Sequence, residues 1–268
     1  MLSRFEVAFS TESSGRVLSR LPRLFVLAVP GVLSLLVWEA LSRWSGLPVF
    51  LLPGPRAVWA EFLRAWQDGS LLRHTGVTLS EVLAGLGLGV VVAVTLAYPL
   101  ARSRRIERLL APYIVASQAV PTVALAPLLI IWFGPGALSK ILVCALIVFF
   151  PILVNTVVGL RSVPDDLRDL MRSLRATRGQ TFRYLEVPAA MPSVLGGLKI
   201  GATLSVIGAV VGEFVGADKG LGFLLNSARG LYNTPLVFAA LLTLMSMALA
   251  LYGAVAAVER AALAWRRR

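Results

Sequence analysis

The chain has 268 residues, of which 57% are hydrophobic and only 15% are charged, and its mean hydropathy is +0.79. This composition excludes an ordinary water-soluble globular domain and predicts an integral membrane protein. The net charge of +12 comes mainly from arginines outside the apolar segments, so by itself it indicates neither a nucleic-acid partner nor an anionic substrate.

Six segments are long and apolar enough to cross a bilayer, whose hydrocarbon core takes about 20 residues of helix. They lie near 24–42, 77–100, 110–132, 138–160, 194–216 and 236–258. The sequence therefore predicts an all-α membrane protein with six transmembrane helices.

Basic residues mark the predicted cytoplasmic side. Most of the 26 lysines and arginines fall in the N-terminal tail, in the second and fourth connections and in the C-terminal tail. Both termini are therefore expected in the cytoplasm. We divide the chain into an N-terminal cytoplasmic tail (1–23), a transmembrane domain (24–260) with a cytoplasmic loop at 161–192, and a basic cytoplasmic tail (261–268).

Several polar or helix-breaking residues lie inside the predicted spans. The third span holds Gln118, Pro121 and Thr122, and the fourth holds Asn155. A proline removes a backbone hydrogen bond, and irregular backbone inside a membrane is tolerated where it borders a cavity. These residues, together with Glu213 in the fifth span, are candidates for lining a translocation pathway, and plain helix kinks or helix-to-helix hydrogen bonds remain the alternative.

The polar loop between the fourth and fifth spans has the pattern of a short amphipathic helix. Pro164 suits a first helical position, and the acidic residues after it suit a helix N-terminus. Apolar residues then repeat at helical spacing, at Leu167, Leu170, Met171 and Leu174. A second helical run is predicted from Thr181 to Glu186, after Gly179 and before Pro188 leads back into the membrane. Such a helix either docks on a partner protein or only packs on lipid headgroups.

Glu213 lies in the fifth span, where a carboxyl group is costly and usually faces a partner or water. It precedes an extracytoplasmic turn that is rich in glycine. Because a carboxylate repels anions, we interpret Glu213 as a structural or gating residue, paired with a basic side chain or backbone amides, and not as a substrate ligand.

The chain offers no groups for chemistry of its own. It has one histidine, His74, and one cysteine, Cys144, which excludes a metal site, a Cys/His pair and an intrachain disulfide. No G-x-x-x-x-G-K-[ST] segment is present to cradle the phosphates of ATP. We expect no catalytic residue, metal or cofactor, so energy for any transport must come from a partner or an ion gradient.

The 161–192 loop resembles the Glu-Ala-Ala loop of bacterial ABC importer permeases. Asp169, Leu170 and Met171 stand at the E-A-A positions, Arg175 stands at the glycine, and Val187-Pro188 stands at the Leu-Pro pair. Further segments follow the order seen in the nitrate/sulfonate/taurine/bicarbonate branch: Leu52-Pro53-Gly54-Pro55, Ala119 to Pro127, Ile131-Trp132-Phe133-Gly134, Phe149-Phe150-Pro151-Ile152, Gly212-Glu213-Phe214 and Gly220-Leu221-Gly222. The resemblance covers about residues 50 to 260.

This resemblance implies a type I ABC importer permease in a bacterial inner membrane. It implies three kinds of protein partner, namely a second copy of the chain, two ATP-binding subunits and a periplasmic or extracellular solute-binding protein. Membrane lipid is also expected as a partner, and nucleic acid is not. The ATPase-coupling residues would be Asp169, Leu170, Met171, Leu174, Arg175, Gly179 and Pro188.

Two other classes of protein remain as alternatives. A gradient-driven secondary carrier would use Glu213 as its proton site, and a scaffold subunit would not transport at all. The solute is also open between small anions, such as nitrate, alkanesulfonates or bicarbonate, and aromatic vitamin precursors, such as pyrimidines and riboflavin.

Overall fold

The computed structural model describes residues 23–267, without the side chains of residues 23–28, 115, 118, 266 and 267. The helices in chain order are α1 (Arg23–Trp44), α2 (Pro55–Gln67), α3 (Ser70–Arg102), α4 (Arg104–Ala119), α5 (Thr122–Phe133), α6 (Ala137–Arg161), α7 (Asp165–Ser173), α8 (Arg178–Thr181), α9 (Val187–Gly216), α10 (Leu221–Gly230) and α11 (Thr234–Ala262). A π-helical turn, Phe182–Glu186, joins α8 to α9, and a 3-10 turn, Ala264–Arg267, follows α11. The predicted tail at 1–23 lies almost wholly outside the described residues.

Within the described residues, four helical runs are long and apolar enough to cross a membrane. They are α3, α6, the continuous run Arg178–Gly216 that ends in α9, and α11. These runs confirm the predicted second, fourth, fifth and sixth spans. The first predicted span falls within α1.

The third predicted span is wrong as a single helix. The chain leaves the helical conformation at Val120 and Pro121, whose ψ angles are 120° and 110°, so α4 and α5 are separate helices. Proline supplies no amide hydrogen for the helix and disfavours the helical conformation of the residue before it. Helix α4 also begins earlier than predicted, because the Ser103 side chain caps it by accepting from the Ile106 amide. The break lies between the apolar segments that were predicted to form one span.

Helices α3, α6 and α9 pack closely through glycines. A Cβ atom at Gly85 of α3 would lie 2.5 Å from the Cys144 side chain of α6, and one at Gly208 of α9 would lie 2.7 Å from the Cys144 Cα. Cys144 is therefore buried where the three helices cross. A Cβ at Gly89 would also clash with α6, whereas Gly87 faces open space. The contact face of α3 thus consists of Gly85 and Gly89, which lie one helical turn apart, and it excludes larger residues there but not at Gly87.

Helix α10 covers the extracytoplasmic end of these helices. Leu221 and Leu224 of α10 are buried in one cluster with Val82 of α3, Val206 of α9 and Leu244 of α11. This packing holds the glycine-rich turn before α10 against α3 and α9, next to Glu213.

Candidate functional site

Helix α7 forms in the 161–192 loop as the acidic and apolar pattern predicted. Asp165 and Asp166 lie in its first turn, where they face the positive end of the helix dipole. Ion pairs one turn apart join Arg172 to Asp169 at 2.7 Å and Arg168 to Asp165 at 3.6 Å. The Arg168 guanidinium also donates to the Leu160 carbonyl at the end of α6, which fastens α7 to that span.

The apolar face of α7 is uncovered. No residue of the helix is buried, and Leu167, Leu170 and Leu174 expose 43%, 53% and 68% of their surface. Met171 is partly exposed. Side chains of this size stabilise a protein only when they are removed from water, so this face is arranged to contact something outside the chain.

Arg175 takes the backbone conformation that glycine takes at helix ends. Its φ angle is +52°. The Ala176 amide donates to the Met171 carbonyl and the Arg175 amide donates to the Arg172 carbonyl, which together form a Schellman motif that ends the helix. An arginine therefore occupies a left-handed position that suits glycine, at the place where the Glu-Ala-Ala pattern has its glycine.

Replacing Arg175 with glycine should stabilise this turn. Glycine adopts the left-handed conformation without the Cβ repulsion that costs other residues about 1–2 kcal/mol. Arg175→Val should destabilise it, since a β-branched residue is least compatible with positive φ. Amide hydrogen exchange of residues 170–176 measures both effects, and equal exchange in the two variants would contradict the assignment.

The second helical run of the loop does not end before the fifth span. Thr177 and Gln180 form a reciprocal capping box that begins α8 three residues before the predicted start. The helix then continues through the π-helical turn into α9, so Pro188 lies in the first turn of α9. A Cβ atom added at Gly179 would meet no neighbouring atom within 4 Å. The helix is therefore unbroken where Pro188 leads the chain into the fifth span, because proline fits the first turn of a helix.

Side-chain contacts fix the loop to the second and third spans. Arg102 at the end of α3 pairs with buried Glu186 at 2.8 Å. Arg161 pairs with Glu107 of α4 and donates to the Leu100 carbonyl. The Arg161 guanidinium holds the pKa of the Glu107 carboxyl below its usual value. A displacement of the loop would therefore be passed to α3, α4 and α9.

The structure does not bring the predicted pathway residues together at one place. Pro121 and Thr122 lie at the break between α4 and α5. Asn155 donates to the Pro151 carbonyl and lies against Gly197 of α9. Glu213 is 16 residues further along α9, a distance of about 24 Å in a helix. The side chain of Gln118 lies outside the described residues.

Glu213 is buried in a network of hydrogen bonds at the extracytoplasmic end. Its carboxylate accepts from the Thr78 hydroxyl, at 2.6 Å, and from the Gly222 amide. Thr78 in turn accepts from the Leu221 amide, and the Gly220 amide donates to His74 Nδ1 at 3.0 Å. Glu213 therefore pairs with a backbone amide, as its interpretation required, and joins α9 to α3 and to the turn before α10.

Sequence reasoning missed a second buried acid and its basic partner. Glu81 of α3 and Lys140 of α6 form an ion pair at 3.4 Å, with side chains that are 3% and 4% exposed. The Glu81 carboxyl also neighbours that of Glu213. One Glu81 oxygen, Oε2, has no hydrogen-bond partner. Opposite charges inside the predicted second and fourth spans were the available signal for this pair.

Within residues 23–267, no cluster of histidine, cysteine and acidic residues could hold a metal ion.

Residues 85–263 match the family described as binding-protein-dependent transport system inner membrane component. The chain is 48% identical over 239 residues to the riboflavin transport system permease protein RibX of Chloroflexus aurantiacus, covering 89% of each chain. It is 36% identical to the formylaminopyrimidine transport permease protein ThiX of Halalkalibacterium halodurans, covering 92% of this chain and 96% of that one. Identity to the putative aliphatic sulfonates transport permease protein SsuC of Bacillus subtilis is 30%, over 90% and 87% of the chains.

Solved transporter structures share the fold. A chain of the MetNI methionine ABC transporter in an inward-facing conformation has a TM-score of 0.64 and 20% identity, covering 73% of this chain and 97% of that one. A chain of an amino acid ABC transporter has a TM-score of 0.59 and 19% identity, covering 74% and 97%. At these identities the similarity concerns the fold.

Proposed function

The chain belongs to the family of binding-protein-dependent transport inner-membrane components, the permease subunits of ABC importers, and we propose that ATP-binding subunits drive it by docking on α7. The supporting observation is the uncovered apolar face of α7 on the side that carries the basic connections. Two copies of the chain would form the translocation path, and a solute-binding protein would deliver the solute to the opposite side.

The fixed loop gives this docking a mechanical consequence. Helix α7 is fastened to α6 through Arg168, and the run after it is continuous with α9 and pinned to α3 by the Arg102–Glu186 pair. Packed helices move as bodies rather than bending freely. A rotation of α7 by an ATPase would therefore be transmitted into the spans that hold the path.

We propose a heteroaromatic vitamin or vitamin precursor as the solute. The relatives that are 48% and 36% identical are named for riboflavin and formylaminopyrimidine, whereas the sulfonate and taurine permeases are 29–31% identical. These names favour the aromatic alternative over small anions. Parallel uptake of riboflavin and taurine by the reconstituted complex would distinguish the two classes.

Placing charge on the apolar face of α7 should uncouple ATP hydrolysis from uptake. Leu170→Asp together with Met171→Asp would bury two carboxylates in the proposed interface without partners, which costs several kcal/mol. We expect uptake to fall at least tenfold while the purified chain still elutes as a folded species. Uptake and ATP hydrolysis are measured in proteoliposomes that contain the ATP-binding subunits and the solute-binding protein.

The matched control is Ser173→Asp, an exposed position on the same helix and away from the apolar face. It adds a carboxylate but should leave coupling nearly unchanged. Normal uptake in the Leu170→Asp, Met171→Asp variant would refute docking on α7. Uptake without ATP or ATP-binding subunits would instead identify a gradient-driven carrier.

A further inference from the structure

Two adjoining cavities lie next to the 161–192 loop, between the C-terminal ends of α3 and α6 and the N-terminal end of α9. The first has a volume of about 490 Å³ and is lined by Arg102, Arg168, Arg172 and Arg178, with Glu186 as the one acid. The second has a volume of about 570 Å³ and an apolar lining that includes Val94, Phe182 and Val194. Tyr98 and Leu160 line both cavities, so the two adjoin, and we call them together the crevice, with a basic end and an apolar end.

The apolar end lies where α3 and α9 separate. Toward the extracytoplasmic side the two helices are in contact, since a Cβ at Gly201 would lie 3.5 Å from Leu86 Cδ1. At the cytoplasmic end, Tyr98 of α3 packs edge to face on Phe182 of the π-helical turn before α9, with ring centroids 5.2 Å apart. The apolar end thus lies between membrane-spanning helices, and the arginines lie beyond it at the helix ends and in the 161–192 loop.

The basic end contains two buried polar atoms without hydrogen-bond partners. They are Glu186 Oε2, an acceptor, and Arg168 Nε, a donor. The Glu186 side chain is only 8% exposed, and its other oxygen accepts from Arg102. Buried polar groups are costly unless they are paired, so an occupant with both an acceptor and a hydroxyl donor would satisfy them.

We propose that this crevice binds one molecule of an anionic phospholipid, with its phosphate among the arginines and an acyl chain between α3 and α9. The phosphate supplies the acceptor for Arg168, and the glycerol headgroup of phosphatidylglycerol supplies a hydroxyl donor for Glu186. Four arginines against one glutamate select a negatively charged headgroup. Basic pockets between transmembrane helices on the cytoplasmic side are suited to such headgroups.

A bound lipid would connect the 161–192 loop to the spans. Arg168 and Arg172 belong to α7, Arg178 begins α8, and Arg102 ends α3. One phosphate contacting these elements would restrict the motion of α7 relative to α3. This inference does not depend on which solute is carried.

Native mass spectrometry of the detergent-purified chain tests the proposal directly. Palmitoyl-oleoyl phosphatidylglycerol should remain bound at one molecule per chain, more tightly than phosphatidylcholine or phosphatidylethanolamine with the same acyl chains. Inorganic phosphate should compete only weakly. Equal retention of the three lipids, or full competition by phosphate, would overturn the assignment to an anionic lipid.

Paired variants separate this site from general attraction to lipid. Arg172→Ala with Arg178→Ala should weaken phosphatidylglycerol binding about 30-fold, which corresponds to about 2 kcal/mol for two charges. Arg104→Ala with Arg105→Ala removes the same charge from α4, outside the crevice, and should change binding less than threefold. Equal losses in the two pairs would contradict the proposal.

The apolar end has its own test. Val194→Trp should fill the space for the acyl chain and abolish retention, whereas Leu249→Trp, at an exposed position on α11, should not. Retention by Val194→Trp at the native level would overturn the acyl-chain placement. Binding to monomers but not to dimers would show that a second copy covers the crevice, and would also overturn the proposal.

Discussion

Lys140→Met is expected to destabilise the chain by about 3–5 kcal/mol, because it leaves a buried carboxylate without its partner. Lys140 and Glu81 are almost completely buried, and Glu81 already has one oxygen without a hydrogen bond. Methionine matches the lysine side chain in length, so the packing of α6 against Gly212 should survive. The temperature at which half of the detergent-solubilised protein remains monodisperse measures the loss.

Two comparisons test the cause of this loss. The double variant Glu81→Leu, Lys140→Met removes both charges and should recover most of the stability, since replacing a buried pair by apolar groups is often neutral. Lys199→Met breaks the pair with Glu259, whose side chains are 21% and 24% exposed, and should cost about 1 kcal/mol or less. Equal losses for Lys140→Met and Lys199→Met would contradict the assigned role of burial.

Local sequence patterns predicted the elements whose cause is local. The spacing of Leu167, Leu170 and Leu174 and the acids before them define α7 without help from the rest of the chain, and the structure has that helix. Long apolar runs likewise predicted the spans, because a bilayer requires about 20 residues of helix. The break at Pro121 also has a local cause. The predicted third span was wrong because it joined two short helices across a proline, which ends helices.

The buried charges could not be paired from sequence alone. Which residue of α3 faces Lys140 depends on how far the helices are shifted along each other, and that shift is fixed by close glycine contacts at Gly85 and Gly208.

The left-handed backbone of Arg175 could not be predicted from the sequence either. Nothing in its residue type indicates a positive φ, and only the hydrogen bonds that end α7 impose it.

Glu213→Gln is expected to keep much of the transport, and Glu213→Leu is expected to abolish it. Glutamine can orient its oxygen toward the Gly222 amide and its NH₂ group toward the Thr78 hydroxyl. Thr78 can then donate its hydrogen to the His74 carbonyl, which lies 3.2 Å away. Leucine would leave the buried Gly222 amide without its acceptor, at about 1–3 kcal/mol, and would remove the hydrogen bond that joins Glu213 to Thr78.

The same pair of variants distinguishes this mechanism from a proton-driven carrier. Glutamine keeps the shape and the hydrogen bonds of Glu213, so a structural role tolerates it, whereas a proton site cannot function without a titratable group. Uptake by both variants is measured against external pH at matched expression. Retained uptake in Glu213→Gln supports Glu213 as the residue that holds the turn before α10 on α3. Abolished uptake in Glu213→Gln with normal folding would refute that role, because the hydrogen bonds of the network can still be made.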